Sequence, residues 1–153
     1  MVRRRARPPL TPIGAGHASA MVPVLAAYGI NRVVTSQWER CASTIAPYAA
    51  AAGLDTVRRD RLTEAQHERS PGRVGATVRE LLEDDVSTVL CTHRPVLPTV
   101  LDVLGQHARR SVANALPTTD PFLEPGELIA AHVTQTEKGP RVVAAGKVSP
   151  PLH

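Results

Sequence analysis

Aromatic side chains are scarce in this chain: one Trp, two Tyr and one Phe make up only 3% of its 153 residues. Val, Leu, Ile and Ala must therefore fill any core. The scarcity also removes the stacking platform that binders of single-stranded nucleic acid use. Cysteine is nearly absent as well. Cys41 and Cys91 are too few for a disulfide framework. Cys91 sits in an apolar run, where a thiol packs as a small hydrophobe rather than serving redox chemistry. No apolar run approaches the ~18 residues of a membrane span. The basic N-terminus leads into Pro8 and Pro9 with no apolar stretch behind it, unlike a secretory signal. We therefore expect a cytoplasmic protein without a membrane partner.

What remains is ordinary for a globular domain. Hydrophobic residues make up 42% of the chain and charged residues 21%, at a length suited to one core. The formal net charge is +4, and the positive charge is almost all arginine. Guanidinium groups prefer carboxylate and phosphate oxyanions, which points to anionic ligands. Apart from Arg3, Arg4, Arg5 and Arg7 the arginines are scattered. That distribution disfavours nucleic acid as the partner.

Turn residues divide the chain into alternating helices and strands. Thr11 can cap a helix that begins at Pro12 and stops at Gly29. The β-branched stretch 32–36 predicts a buried parallel strand. A helix follows over 38–52 and ends at Gly53. A short extended piece lies near Thr56 and Val57, and a third helix spans 73–83. Residues 86–91 predict a second buried strand, followed by a helix containing Val96, Leu97, Val100, Leu101 and Leu104. Strands over 127–134 and 141–147, joined at Lys138-Gly139-Pro140, predict an antiparallel hairpin. The implied fold class is α/β, a three-layer sandwich with a mostly parallel sheet and an antiparallel edge hairpin. We divide the chain into a basic lead-in (1–9), one domain (10–148) and a tail (149–153).

Open parallel sheets bind ligands beyond the carboxyl ends of their strands. Two segments stand there, Ser36-Gln37-Trp38-Glu39-Arg40-Cys41-Ala42-Ser43-Thr44 and Cys91-Thr92-His93-Arg94-Pro95. Arg40, at the start of a helix, can fork onto phosphate oxygens with help from the helix N-terminus. The alternative is an arginine on a solvated helix face. His93 ends an apolar strand and can serve as acid, base or phosphate donor; the alternative is a structural histidine. Gly14-Ala15-Gly16-His17 follows a Pro-rich stretch rather than a strand, so it is not a dinucleotide fingerprint. The cysteines lack the following arginine of a cysteine phosphatase, and Cys91 with His93 is not a zinc set.

Thr11-x-x-Gly14, Thr35-Ser36-x-x-x-Arg40-Cys41-x-x-Thr44 and Thr92-His93, in that order, resemble the histidine phosphatase (phosphoglycerate mutase-like) superfamily. Four further stretches are similar to the phosphatase half of two-domain MutT-type proteins, in which a Nudix domain comes first. They are Arg7-Pro8-Pro9-Leu10-Thr11-Pro12, Trp38-Glu39-Arg40-Cys41, Cys91-Thr92-His93-Arg94-Pro95-Val96-Leu97-Pro98 and Pro125-Gly126-Glu127. The resemblance spans about residues 7–148. It implies a phosphohydrolase that needs no metal or other cofactor and acts on a phosphorylated small molecule or nucleotide.

By the same resemblance, Arg40 grips the phosphoryl group, and His93 donates hydrogen bonds to it and stabilises the transition state. Ser36 and Thr44 shape the surroundings of Arg40, and Arg94 adds a cation at the rim. Glu64 is the candidate acid, with a solvated loop glutamate as the alternative. His17 falls where the family has glutamine and reads as a surface residue. One departure weighs against activity. The family's nucleophile is a histidine that follows an arginine on the first strand. Here Val2-Arg3-Arg4 puts Arg4 in that place, and arginine cannot serve as that nucleophile. The expected first strand is therefore missing and the catalytic site incomplete. A Nudix partner upstream and self-association are both expectations of this reading. The rival is a non-catalytic phosphate-binding or interaction domain that has lost the nucleophile.

Overall fold

The computed structural model describes residues 12–36, 39–59, 62–124 and 126–149; the side chains of residues 12–15, 39, 40 and 64 are outside that description. The elements run α1 (Pro12–Ala27), β1 (Arg32–Thr35), α2 (Glu39–Ala52), β2 (Thr56–Arg58), α3 (Glu64–Arg69), α4 (Pro71–Glu83), β3 (Thr88–Cys91), a 3₁₀ turn (Arg94–Val96), α5 (Leu97–Gln106), α6 (Arg110–Ala113), β4 (Leu128–Thr136) and β5 (Gly139–Val148).

β1 lies between β2 and β3 and pairs in parallel with both. Strand side chains alternate between faces, and the core divides accordingly. On one face Val33 joins Met21, Leu25, Ile45, Tyr48 and Ala49 from α1 and α2, with Val89 and Cys91 packed alongside. On the other, Val34 joins Leu62, Val74 and Val96, with Leu90 packed alongside. The sheet is thus covered on both faces, as a short β-branched run without polar alternation requires.

α1 and α2 continue through Pro23 and Pro47. A proline inside a helix costs ~3 kcal/mol. Burial of Met21, Leu25, Ile45 and Tyr48 in one cluster offsets that cost. Both helices are followed by a glycine with positive φ, Gly29 at 65° and Gly53 at 68°, a conformation that glycine adopts without steric penalty.

β4 and β5 form an antiparallel hairpin whose register shifts at His132/Val133. Among the described residues the hairpin is a sheet of its own rather than an extension of the parallel one. It is tied to the body by a short bridge between Ala108 and Val142 and by a bond from Val142 N to His107 O of 2.8 Å. Val142 is 1% exposed and joins Val78, Leu82, Leu101, Val103, Leu104 and Leu116. The turn falls at Glu137-Lys138, one residue earlier than expected, because Gly139 already pairs with Thr136.

Two short helices were not foreseen. α3 is capped by the side chain of Thr63, which accepts from Gln66 N at 3.3 Å. Glu64 therefore opens a helix and does not sit in a loop, a position where a carboxylate favours the helix dipole. α6 is a single turn, too short to leave a periodic signal. The expected cap at Thr11 and the missing first strand fall on residues outside the described ones.

Candidate functional site

The parallel pairing brings the two sequence motifs together. Thr35 is the register partner of Cys91, and Ser36 N donates to Cys91 O at 3.1 Å. The chain leaves β1 at Ser36 and β3 at Thr92, so both segments emerge at the same sheet edge. Ser36 Oγ and His93 Nε2 are 2.8 Å apart, with Ser36 fully buried and His93 8% exposed. A pair at that distance is a strong hydrogen bond, and its burial fixes the orientation of the imidazole. Thr92 Oγ1 donates to Leu62 O at 2.7 Å, which ties the β3 exit to the segment after β2.

Arg40 lies in the first turn of α2, the second residue after the described chain resumes at Glu39; its side chain is outside the described residues, as is that of Glu64. Thr44 is half-buried one turn further along α2, and Arg94 is exposed at the start of the 3₁₀ turn after His93. Ser36 and His93 thus meet directly. Thr44 and Arg94 lie on the elements that follow them. His17 is half-buried rather than a surface residue: a Cβ placed on Gly126 would come within 3.0 Å of its ring. Gly126 also has φ 84°, so both its backbone and its neighbour exclude a side chain there.

The sequence reading did not anticipate the cysteines. Cys41, from α2, places its Sγ 3.6 Å from both ring nitrogens of His93. A sulfur equidistant from the two nitrogens rests against the ring rather than on one lone pair. A hydrogen bond from the Cys91 thiol, opposed by burial and aided by His93, lowers the Cys41 pKa from 9.0 to about 5. Cys91 is pushed well above its ordinary value by that same bond to Cys41 and by burial. Thr35 Oγ1, fully buried, has no hydrogen-bond partner among the described residues. The only advance sign was that Cys41 adjoins Arg40 and that Cys91 and His93 are two apart at a strand end. Among the described residues, no set of three or more His, Cys, Asp or Glu side chains is arranged to hold a metal ion. No described helix is long and apolar enough to cross a membrane.

The fold is similar to that of a solved structure titled "Mycobacterial hydrolase 1", at a TM-score of 0.62 and 16% sequence identity, over 95% of this chain and 87% of that one. Residues 1–115 match the profile of the Histidine phosphatase superfamily (branch 1), three quarters of the chain and both strand-end segments. Its strand-end motifs, their meeting at Ser36 and His93 and this match together establish that the chain belongs to the histidine phosphatase superfamily.

Proposed function

We propose that this domain binds a phosphoryl group at the edge where β1 and β3 end, with Arg40 and His93 as its ligands. The carrying observation is the buried Ser36–His93 bond of 2.8 Å beside the start of α2. It orients an imidazole toward the place where a helix N-terminus and an arginine of the first turn favour an anion. Arg94, exposed after His93, adds a rim cation, Thr44 supports the helix carrying Arg40, and Glu64 is the candidate acid. The substrate class is a phosphorylated small molecule or nucleotide, in a cytoplasmic setting. A similar fold in a protein titled as a hydrolase is in keeping with this reading.

The activity of the chain as it stands is weak or nil, because Arg4 occupies the nucleophile's place and loss of a nucleophile costs many orders of magnitude in rate. A phosphate-binding domain that no longer turns over is the second reading, and Arg4 is the residue that favours it. The motifs shared with MutT-type proteins support an upstream Nudix partner. Among the described residues, β3 pairs on one side only, and apart from the single bridge of Val142 to Ala108 the hairpin pairs with no other strand. Exposed strand edges invite association with another chain, which supports self-association.

A melting series in sulfate, with Arg40→Ala as control and sedimentation alongside, tests the binding reading. Sulfate should raise the melting temperature of the natural chain by mass action and leave the variant unmoved. A melting temperature indifferent to sulfate in both would refute it. Phosphomonoester turnover with a trapped phosphohistidine would restore a complete catalytic site.

A further inference from the structure

We propose that Cys41 is a positioning residue for His93: its sulfur lies over the imidazole and fixes the plane in which that ring meets a phosphoryl oxygen. The proposal rests on the phosphoryl-binding reading above. Cys41 and His93 are both buried, and Cys41 Sγ is 3.6 Å from Nδ1 and 3.6 Å from Nε2. Those two nitrogens flank a single ring carbon. A sulfur equally far from both and in the plane of the ring would overlap that carbon on one side, or the rest of the ring on the other. It therefore sits above the face, at the separation of a van der Waals contact between sulfur and ring.

The contact matters because the last torsion of a histidine is broad rather than staggered. The tilt of the imidazole is then set by what touches it. Ser36 Oγ, 2.8 Å from Nε2, holds one corner of the ring, and a hydrogen bond at one corner does not by itself fix the tilt. Cys41 restrains the tilt from a rigid support. α2 is anchored against β1 by Ile45, Tyr48 and Ala49, which are buried in one cluster with Val33. The same turn of α2 carries Arg40, so the sulfur sets the ring plane relative to the helix start that favours an anion. Hydrogen bonds weaken steeply as they bend. A ring left to tilt would donate poorly to an oxyanion even with its neighbours unchanged.

NMR of the natural chain gives the first test, and it needs no variant to fold. An aromatic ring shifts protons above its face upfield and protons at its edge downfield. The Cys41 β-protons should be shifted upfield and show Overhauser contacts to both carbon-bound ring protons of His93. Downfield resonances, or contact with one ring proton only, would overturn the proposal. Cys41→Ala then removes the sulfur. The Nδ1 and Nε2 resonances of His93 should broaden and move toward each other, and sulfate should bind roughly 2- to 10-fold more weakly by calorimetry. Cys41→Val, which restores bulk over the ring, should recover both. His67, on α3 and 2.6 Å from Thr99, should keep its nitrogen shifts throughout and so report an intact fold. With His67 unmoved, unchanged His93 nitrogens and sulfate affinity in Cys41→Ala would overturn the proposal, as would an equal loss in Cys41→Val. If the natural chain ignores sulfate and Arg40→Ala changes nothing, the phosphoryl reading fails instead, and the β-proton and ring-nitrogen shifts decide by themselves whether Cys41 holds the ring.

Discussion

The parallel sheet and the hairpin are built from similar residues under opposite constraints. β1 reads Arg-Val-Val-Thr and its last three residues are buried; β5 is more than twice as long, yet only Val142 in it is buried. β1 is covered by helices on both faces and carries the chemistry-bearing residues at its exit. The hairpin is only partly covered, and Val133 and Val143 remain open to solvent. Burial on two faces makes each residue of a short strand indispensable. A half-covered ribbon concentrates its contribution in one plug.

Substitutions should expose that contrast, the larger effects falling beside the parallel sheet. Ile45→Ala, under β1, should cost about 2–5 kcal/mol by chemical denaturation. Val143→Ala in the hairpin, at 49% exposure, should stay within about 0.5 kcal/mol. Comparable costs at the two sites would show that the hairpin is as integral as the sheet. Gly126→Ala comes next. It forces a Cβ into a positive φ and against the His17 ring, and should lower stability by more than about 1 kcal/mol. Restoring space with His17→Ala should recover part of the loss.

A pH series tests the thiols on the α1–α2 side. The described titratable groups that face Cys41 are Cys91 on β3 and His93 after it. Cys41 is lowered to about 5 in the folded chain against 9.0 otherwise. Between those values the unfolded state holds the proton and the folded state does not, so stability should rise with pH across that window. The contribution is present in full above about 9 and lost as pH falls through about 5. Cys41→Ser should flatten the slope, and an unchanged slope would mean that Cys41 is not the thiolate. A small effect also belongs to the opposite end of the sheet. There Arg32 meets Asp84 at 2.8 Å, and the Asp84 side chain is 56% exposed. Asp84→Ala should cost only about 0.2–1 kcal/mol, less at high salt.

Local chemistry marked most of the elements. β-branched runs marked β1 and β3, and Gly29 and Gly53 marked the ends of α1 and α2, because these signals depend on a residue and its immediate neighbours. Ser36 and His93 were legible as strand-end residues for the same reason. Their contact was not, because 57 positions separate them and only the parallel register of β1 with β3 brings them to 2.8 Å. The thiol pair was less legible still. Cys91 lies in an apolar run that reads as core, and packing does surround it. Cys41 comes from α2, and nothing in the spacing of 41 and 91 encodes which face of the sheet either occupies.

The sequence by itself determined the alternation of helices and strands and the superfamily, since both rest on local residue chemistry and motif order. The tertiary structure alone decided that the hairpin stands apart from the parallel sheet, that His17 packs on Gly126, and that the Cys41 sulfur rests on the His93 ring. Those outcomes depend on which faces of the elements meet. That is settled by the joint burial of Val33, Ile45 and Tyr48, a property of the packed chain that no single segment contains.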